Sequence, residues 1–133
     1  MKYSSTSIPD AVLRRMPRDQ RPKGKAGLTF EEAAAKATVR VERDLHLLVS
    51  RWLTLRGIKY LTTNPARRST ATLAWPDFSF AIKGRAVAIE LKMPGVAPRA
   101  DQVECHEAMR ANGWVVLVLS CFGDVVESVR GME

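Results

Sequence analysis

The chain has 133 residues, of which 46% are hydrophobic and 26% charged, and carries a net charge of +7. That length suits one domain with a true core, and the composition is that of an ordinary globular chain rather than a fibrous or low-complexity one. No apolar run approaches a membrane span, and the N-terminus lacks the apolar core of a signal peptide. Cys105 and Cys121 make neither a disulfide framework nor a metal-binding pair, which fits a reducing cytoplasm.

Residues 1–28 hold Lys2, Arg14, Arg15, Arg18, Arg21, Lys23 and Lys25 against Asp10 and Asp19, leaving +5, while the remaining 105 residues carry +2. With Pro9, Pro17, Pro22, Gly24 and Gly27 and little periodicity, the segment reads as a basic, flexible or docked arm. It has room for one helical turn over residues 9–16. Such an arm suits a polyanion partner bound in a salt-dependent way, and serves equally as a solubilising terminus. Residues 29–133 form the folded domain.

Thr29-x-x-Glu32 is a capping-box pattern that opens an Ala-rich helical stretch. Val41, Leu45, Leu48, Trp52 and Leu55 continue the helical spacing to a stop at Gly57. The stretch is one helix over residues 30–56, or two with Thr38 capping the second. Glu42 sits at the edge of the apolar stripe. Residues 58–62 read as a first strand. Residues 63–74 form a polar loop whose Arg67 and Arg68 either touch phosphates or are simply exposed.

Residues 75–93, WPDFSFAIKGRAVAIELKM, read as a β-hairpin. Both arms alternate with period two, and Lys83-Gly84 makes a two-residue turn. Ile82 then faces Arg85, and the same register sets Asp77 opposite Glu90. Cross-strand partners point to one face with Cβ atoms about 4.5–5.5 Å apart, and Lys92, two residues on, shares that face. Only Ser79, Ala81, Ala86 and Ala88 lie between these charges and the turn, which leaves room for a substrate. Phe78, Phe80, Val87, Ile89 and Leu91 make the opposite, core-facing surface. Two facing carboxylates repel unless something offsets them, and a hard divalent cation does so. The bland reading of the same residues is a solvated Glu–Lys pair.

After a loop containing Pro94, Gly95 and Pro98, a helix is expected over residues 100–112, with Val103, Ala108 and Met109 inward and Gly113 as its stop. Gln102 lies in its first turn, near the positive end. His106 and His46 are assigned no role. Residues 114–119, WVVLVL, suit a strand buried on both faces, with Cys121 buried behind it. Residues 124–130 add an edge strand or a short helix. Alternating helices and strands support an α/β fold.

Pro76-Asp77, twelve residues and then Glu90-Leu91-Lys92 resemble the signature of the PD-(D/E)XK nucleases. The wider context is similar to their VRR-NUC branch of small stand-alone nucleases from phages and mobile elements. The resemblance covers about residues 38–122. It departs at Ala74-Trp75, where a Gly is usual, and at Arg99-Ala100-Asp101, where a small hydroxyl residue often precedes the Gln. It implies a restriction-endonuclease-like core, a mixed central sheet flanked by helices. Glu42, Asp77, Glu90, Lys92 and Gln102 would fill the catalytic slots. Asp77, Glu90 and the Leu91 carbonyl would bind Mg²⁺ or Mn²⁺, Lys92 would stabilise the transition state, and Gln102 would bind phosphate or water. Glu42 would hold a metal-bound water or a second metal. The implied activity is metal-dependent DNA endonuclease cleavage by a homodimer, structure-specific for branched DNA or a Holliday junction, in a bacterial cytoplasm. Arg67, Arg68, Arg99, Lys23 and Lys25 are then DNA contacts. The alternative is a non-catalytic nucleic-acid-binding module that uses the basic arm.

Overall fold

A computed structural model describes Arg15 and residues 29–63 and 74–133. The other residues of the basic arm and residues 64–73, and with them Lys23, Lys25, Arg67 and Arg68, lie outside the described residues. The chain divides after Gly57 into two units.

In the first unit the expected capping box forms. Thr29 Oγ1 accepts the Glu32 N–H at 3.0 Å and Glu32 Oε2 accepts the Thr29 N–H at 3.1 Å, opening helix α1, Phe30–Ala35. A second helix, α2, spans Glu42–Leu55, so the stretch is two helices. Thr38 does not cap the second. Asp44 instead reaches back from its first turn, and Oδ2 accepts the N–H groups of Arg40 at 2.9 Å and Val41 at 3.2 Å. Those two bonds hold the Asp44 carboxyl below its usual range. Leu45, Leu48 and Trp52 are buried as their spacing requires, with Val49 and Leu53 widening the stripe. Val41 is 53% exposed because it precedes the helix. Trp52 Nε1 donates to Glu31 Oε1 at 3.1 Å, tying α2 to α1. Gly57 ends the run at φ 73°, a left-handed conformation that suits glycine.

The second unit is a mixed α/β fold: a four-stranded mixed sheet flanked by helices. The strands are β1 (Tyr60–Thr62), β2 (Phe78–Ile82), β3 (Arg85–Leu91) and β4 (Val115–Leu119), in the order β1-β2-β3-β4. Helix α3, Ala100–Ala111, links β3 to β4, and α4, Phe122–Arg130, follows. The β2–β3 register is the expected one, from Ile82↔Arg85 to Phe78↔Ile89. Lys83 and Gly84 both have positive φ, 48° and 77°, as a two-residue primed turn requires. Phe78, Phe80, Val87, Ile89 and Leu91 are all buried. β3 and β4 run parallel, so a crossover is required, and α3 supplies it.

The structure also corrects several expectations. α3 turns Gln102, His106 and Met109 inward, at helical spacing, while Val103 is 40% exposed and Ala108 is exposed too. Of the small residues on the Glu90 face, Ala88 is covered by Met109, Trp75 and Trp114 packing with Val116, while Ala81 is exposed. Trp75 and Trp114 meet edge to face at 5.7 Å, and Trp75 Nε1 donates to Ser79 Oγ at 3.1 Å. The strand buried on both faces is β3; β4 is a sheet edge on which only Val116 is buried, and Val118 is 37% exposed. Residues 124–130 belong to α4, whose N-cap, Cys121, is exposed rather than buried. Among the described residues no helix is long and apolar enough to cross a membrane.

Candidate metal centre

β3 ends where α3 begins to cross back, so side chains at the carboxyl end of β3 meet those of the first turns of α3. In parallel α/β sheets this end is where ligands usually bind. Glu90, the penultimate residue of β3, is 2% exposed. Gln102 Nε2 donates to its Oε1 at 3.1 Å, and Lys92 Nζ lies 3.6 Å from the same oxygen. Lys92 reaches there because its N–H bonds to the Leu119 carbonyl at 3.0 Å, keeping the chain extended for one residue past β3. It therefore shares Glu90's face, as period two predicts, and is itself buried.

Asp77 falls one position beyond the last ladder pair. Instead of extending the strand it turns its carboxylate to the backbone, and Oδ2 accepts the Leu91 N–H at 2.8 Å. Its own carbonyl accepts the Thr63 N–H at 3.2 Å. These two bonds bring the Asp77 carboxylate to Glu90, the nearest oxygens of the pair lying within 4.8 Å. Leu91 is wholly buried behind them.

Gln102 does less at a free surface than the resemblance implies. Its side chain is buried, and while Nε2 serves Glu90, Oε1 accepts the Arg99 N–H at 2.9 Å and so caps α3. Arg99 is exposed and paired with Asp101 at 3.2 Å. Glu42 is the first residue of α2, half-buried, in the other unit. Its negative charge tends to raise the His46 pKa, but burial outweighs it and holds that imidazole below its usual value.

One residue passed over in the sequence belongs to this site. His106, one turn after Gln102, is 2% exposed, with Nε2 4.0 Å from Glu90 Oε2. Burial pushes its pKa down, and the Arg110 and Lys92 cations push the same way. Its signal in the sequence was the four-residue spacing from Gln102, which places both on one helix face. Cys105, beside it, has its thiol pKa raised by burial and then by the negative charges of Glu90 and Asp101.

Magnitudes separate a stabilising role from a chemical one. At an effective dielectric near 20 the Lys92–Glu90 attraction is about 5 kcal/mol. Removing each ion from water costs several kcal/mol, so the pair roughly breaks even. The Asp77–Glu90 repulsion, across at most 4.8 Å, adds about 3.5 kcal/mol or more of cost at the same dielectric. The cluster is thus poorly explained as a source of stability. Two hard carboxylates converging beside a lysine make a donor set that suits a divalent cation with a phosphate. No protein-family model matches the chain, and no curated protein matches it.

Proposed function

We propose that the chain is a metal-dependent DNA endonuclease, similar in its site to the PD-(D/E)XK nucleases and built on a restriction-endonuclease-like core. The observation that carries the reading is the approach of the Asp77 and Glu90 carboxylates to within 4.8 Å, with a buried lysine on the same face. In this reading Asp77, Glu90 and the Leu91 carbonyl would hold Mg²⁺ or Mn²⁺, and the bound cation would supply polarisation of the scissile phosphate and a lowered pKa for the attacking water. Lys92 leaves Glu90 for the phosphate and stabilises the charge that builds on its oxygens. The water oxygen bonds to phosphorus and gives its proton to solvent, as the bond to the leaving oxygen breaks and that oxygen takes up a proton. Gln102 keeps the Glu90 carboxylate oriented. Glu42 takes the role the resemblance gives it, holding a water or supporting a second metal. Arg99, Arg67, Arg68, Lys23 and Lys25 contact the DNA backbone.

The resemblance also supplies the substrate class, branched DNA such as a Holliday junction, cut by a homodimer in a bacterial cytoplasm. The test is Asp77→Ala: cleavage is abolished while DNA binding is largely kept, and undiminished cleavage sinks the assignment. The +5 charge of residues 1–28 supports a second reading, a binding module without catalysis. That reading expects salt-sensitive DNA binding that EDTA leaves unchanged.

A further inference from the structure

We propose that His106 is a positioning residue for Glu90, gripping the carboxylate oxygen that Gln102 does not. Gln102 and His106 stand one turn apart on the inner face of α3, and each is at least nine-tenths buried. Gln102 reaches Glu90 Oε1 and His106 Nε2 faces Glu90 Oε2. His106 Nε2 has no hydrogen-bond partner among the described residues. A buried imidazole nitrogen in that state is costly to keep, so its position calls for a partner. The facing oxygen is 4.0 Å away, and an approach of about 1 Å makes the bond. A neutral imidazole offers one N–H donor, and each carboxylate oxygen keeps a second lone pair for a cation.

The inference rests on the nuclease reading and adds to it a residue whose type and place the catalytic signature does not contain. Lys92 shares the Glu90 carboxylate in this structure. Once Lys92 turns to phosphate, Gln102 and His106 both act to hold Glu90 in its cation-binding orientation. Residues that orient a metal's ligands typically contribute about 10–100-fold to metal affinity.

The experiment is Mn²⁺ binding by titration calorimetry on the full chain without DNA, for wild type, His106→Leu and His106→Gln. Melting of each variant without metal is followed in parallel. Expected is Mn²⁺ affinity weakened about 10–100-fold in His106→Leu and largely restored in His106→Gln, whose amide places an N–H near Nε2. In cleavage assays the same pattern appears as a higher Mn²⁺ requirement at unchanged KM for DNA. Wild-type affinity in His106→Leu overturns the inference alone and leaves the nuclease reading standing. Lowered melting temperatures with unchanged affinity also overturn it, marking His106 as packing. Absence of Mn²⁺ binding by wild type overturns the inference together with the reading beneath it.

Discussion

Gln102 joins the start of α3 to the carboxylate at the end of β3, donating to Glu90 Oε1 at 3.1 Å while accepting the Arg99 N–H at 2.9 Å. One buried amide thus caps the crossover helix and orients an acidic side chain. Gln102→Leu removes a charge-assisted bond and a helix cap together. The expected loss is about 2–4 kcal/mol of stability, read as a lower urea midpoint at unchanged slope. A loss below about 0.5 kcal/mol would mean that neither bond persists in solution.

Asp77 has two roles that substitution separates. Asp77→Asn keeps an acceptor for the Leu91 N–H and removes the charge. It is expected to fold with stability within about 1 kcal/mol of wild type and to lose metal-dependent cleavage. Asp77→Ala also orphans the Leu91 N–H and is expected to cost about 1–3 kcal/mol. Equal stability of the two variants would show that the backbone bond contributes nothing. Chemical denaturation of both reads this directly.

Lys83 occupies a left-handed conformation, φ 48°, at the first turn position between β2 and β3. A primed two-residue turn favours Asn there. Lys83→Asn is expected to stabilise the chain by about 0.5–1 kcal/mol, measured by thermal melting, without altering metal binding.

The two histidines set an acid limit. Burial is the chief cause that lowers both pKa values; Arg110 and Lys92 add to the effect at His106, and Glu42 opposes it at His46. A lowered folded value means that the unfolded chain binds more protons once pH falls below about 6.5. Stability therefore rises with pH through the window between the lowered folded values and that point, and is lost as pH falls through it. Urea midpoints at about pH 7.5 and about pH 5.5 check the sign, with the lower midpoint expected in acid. Replacing His46 by Gln should flatten the slope.

The hairpin was the most legible part of the sequence because two local signals agree there. Alternation over residues 78–82 and 85–91 sets the faces, and Lys83-Gly84 sets the register, so the sequence alone puts Glu90 and Lys92 on one face. Legibility failed where tertiary context decides. The inner face of α3 carries Gln102 and His106, so its apolar residues Val103 and Ala108 pointed to the wrong phase. The apolar run of β4 resembles that of a central strand, and nothing local tells an edge from a centre. The helix start at Glu42 was hidden because Asp44 caps it from inside the helix. Extrapolating the ladder sets Asp77 opposite Glu90, whereas the pairing stops at Phe78↔Ile89 and the Asp77 carboxylate turns to the Leu91 N–H.

The most direct measurement is cleavage of a labelled four-way junction and a matched linear duplex, each with Mg²⁺, Mn²⁺ or EDTA, by wild type and Glu90→Ala side by side. The account predicts metal-dependent cutting of the junction by wild type and none by Glu90→Ala. Cutting of both substrates keeps the nuclease and removes the preference for branched DNA. DNA binding without cutting in any metal, or cutting that survives Glu90→Ala, would contradict the account.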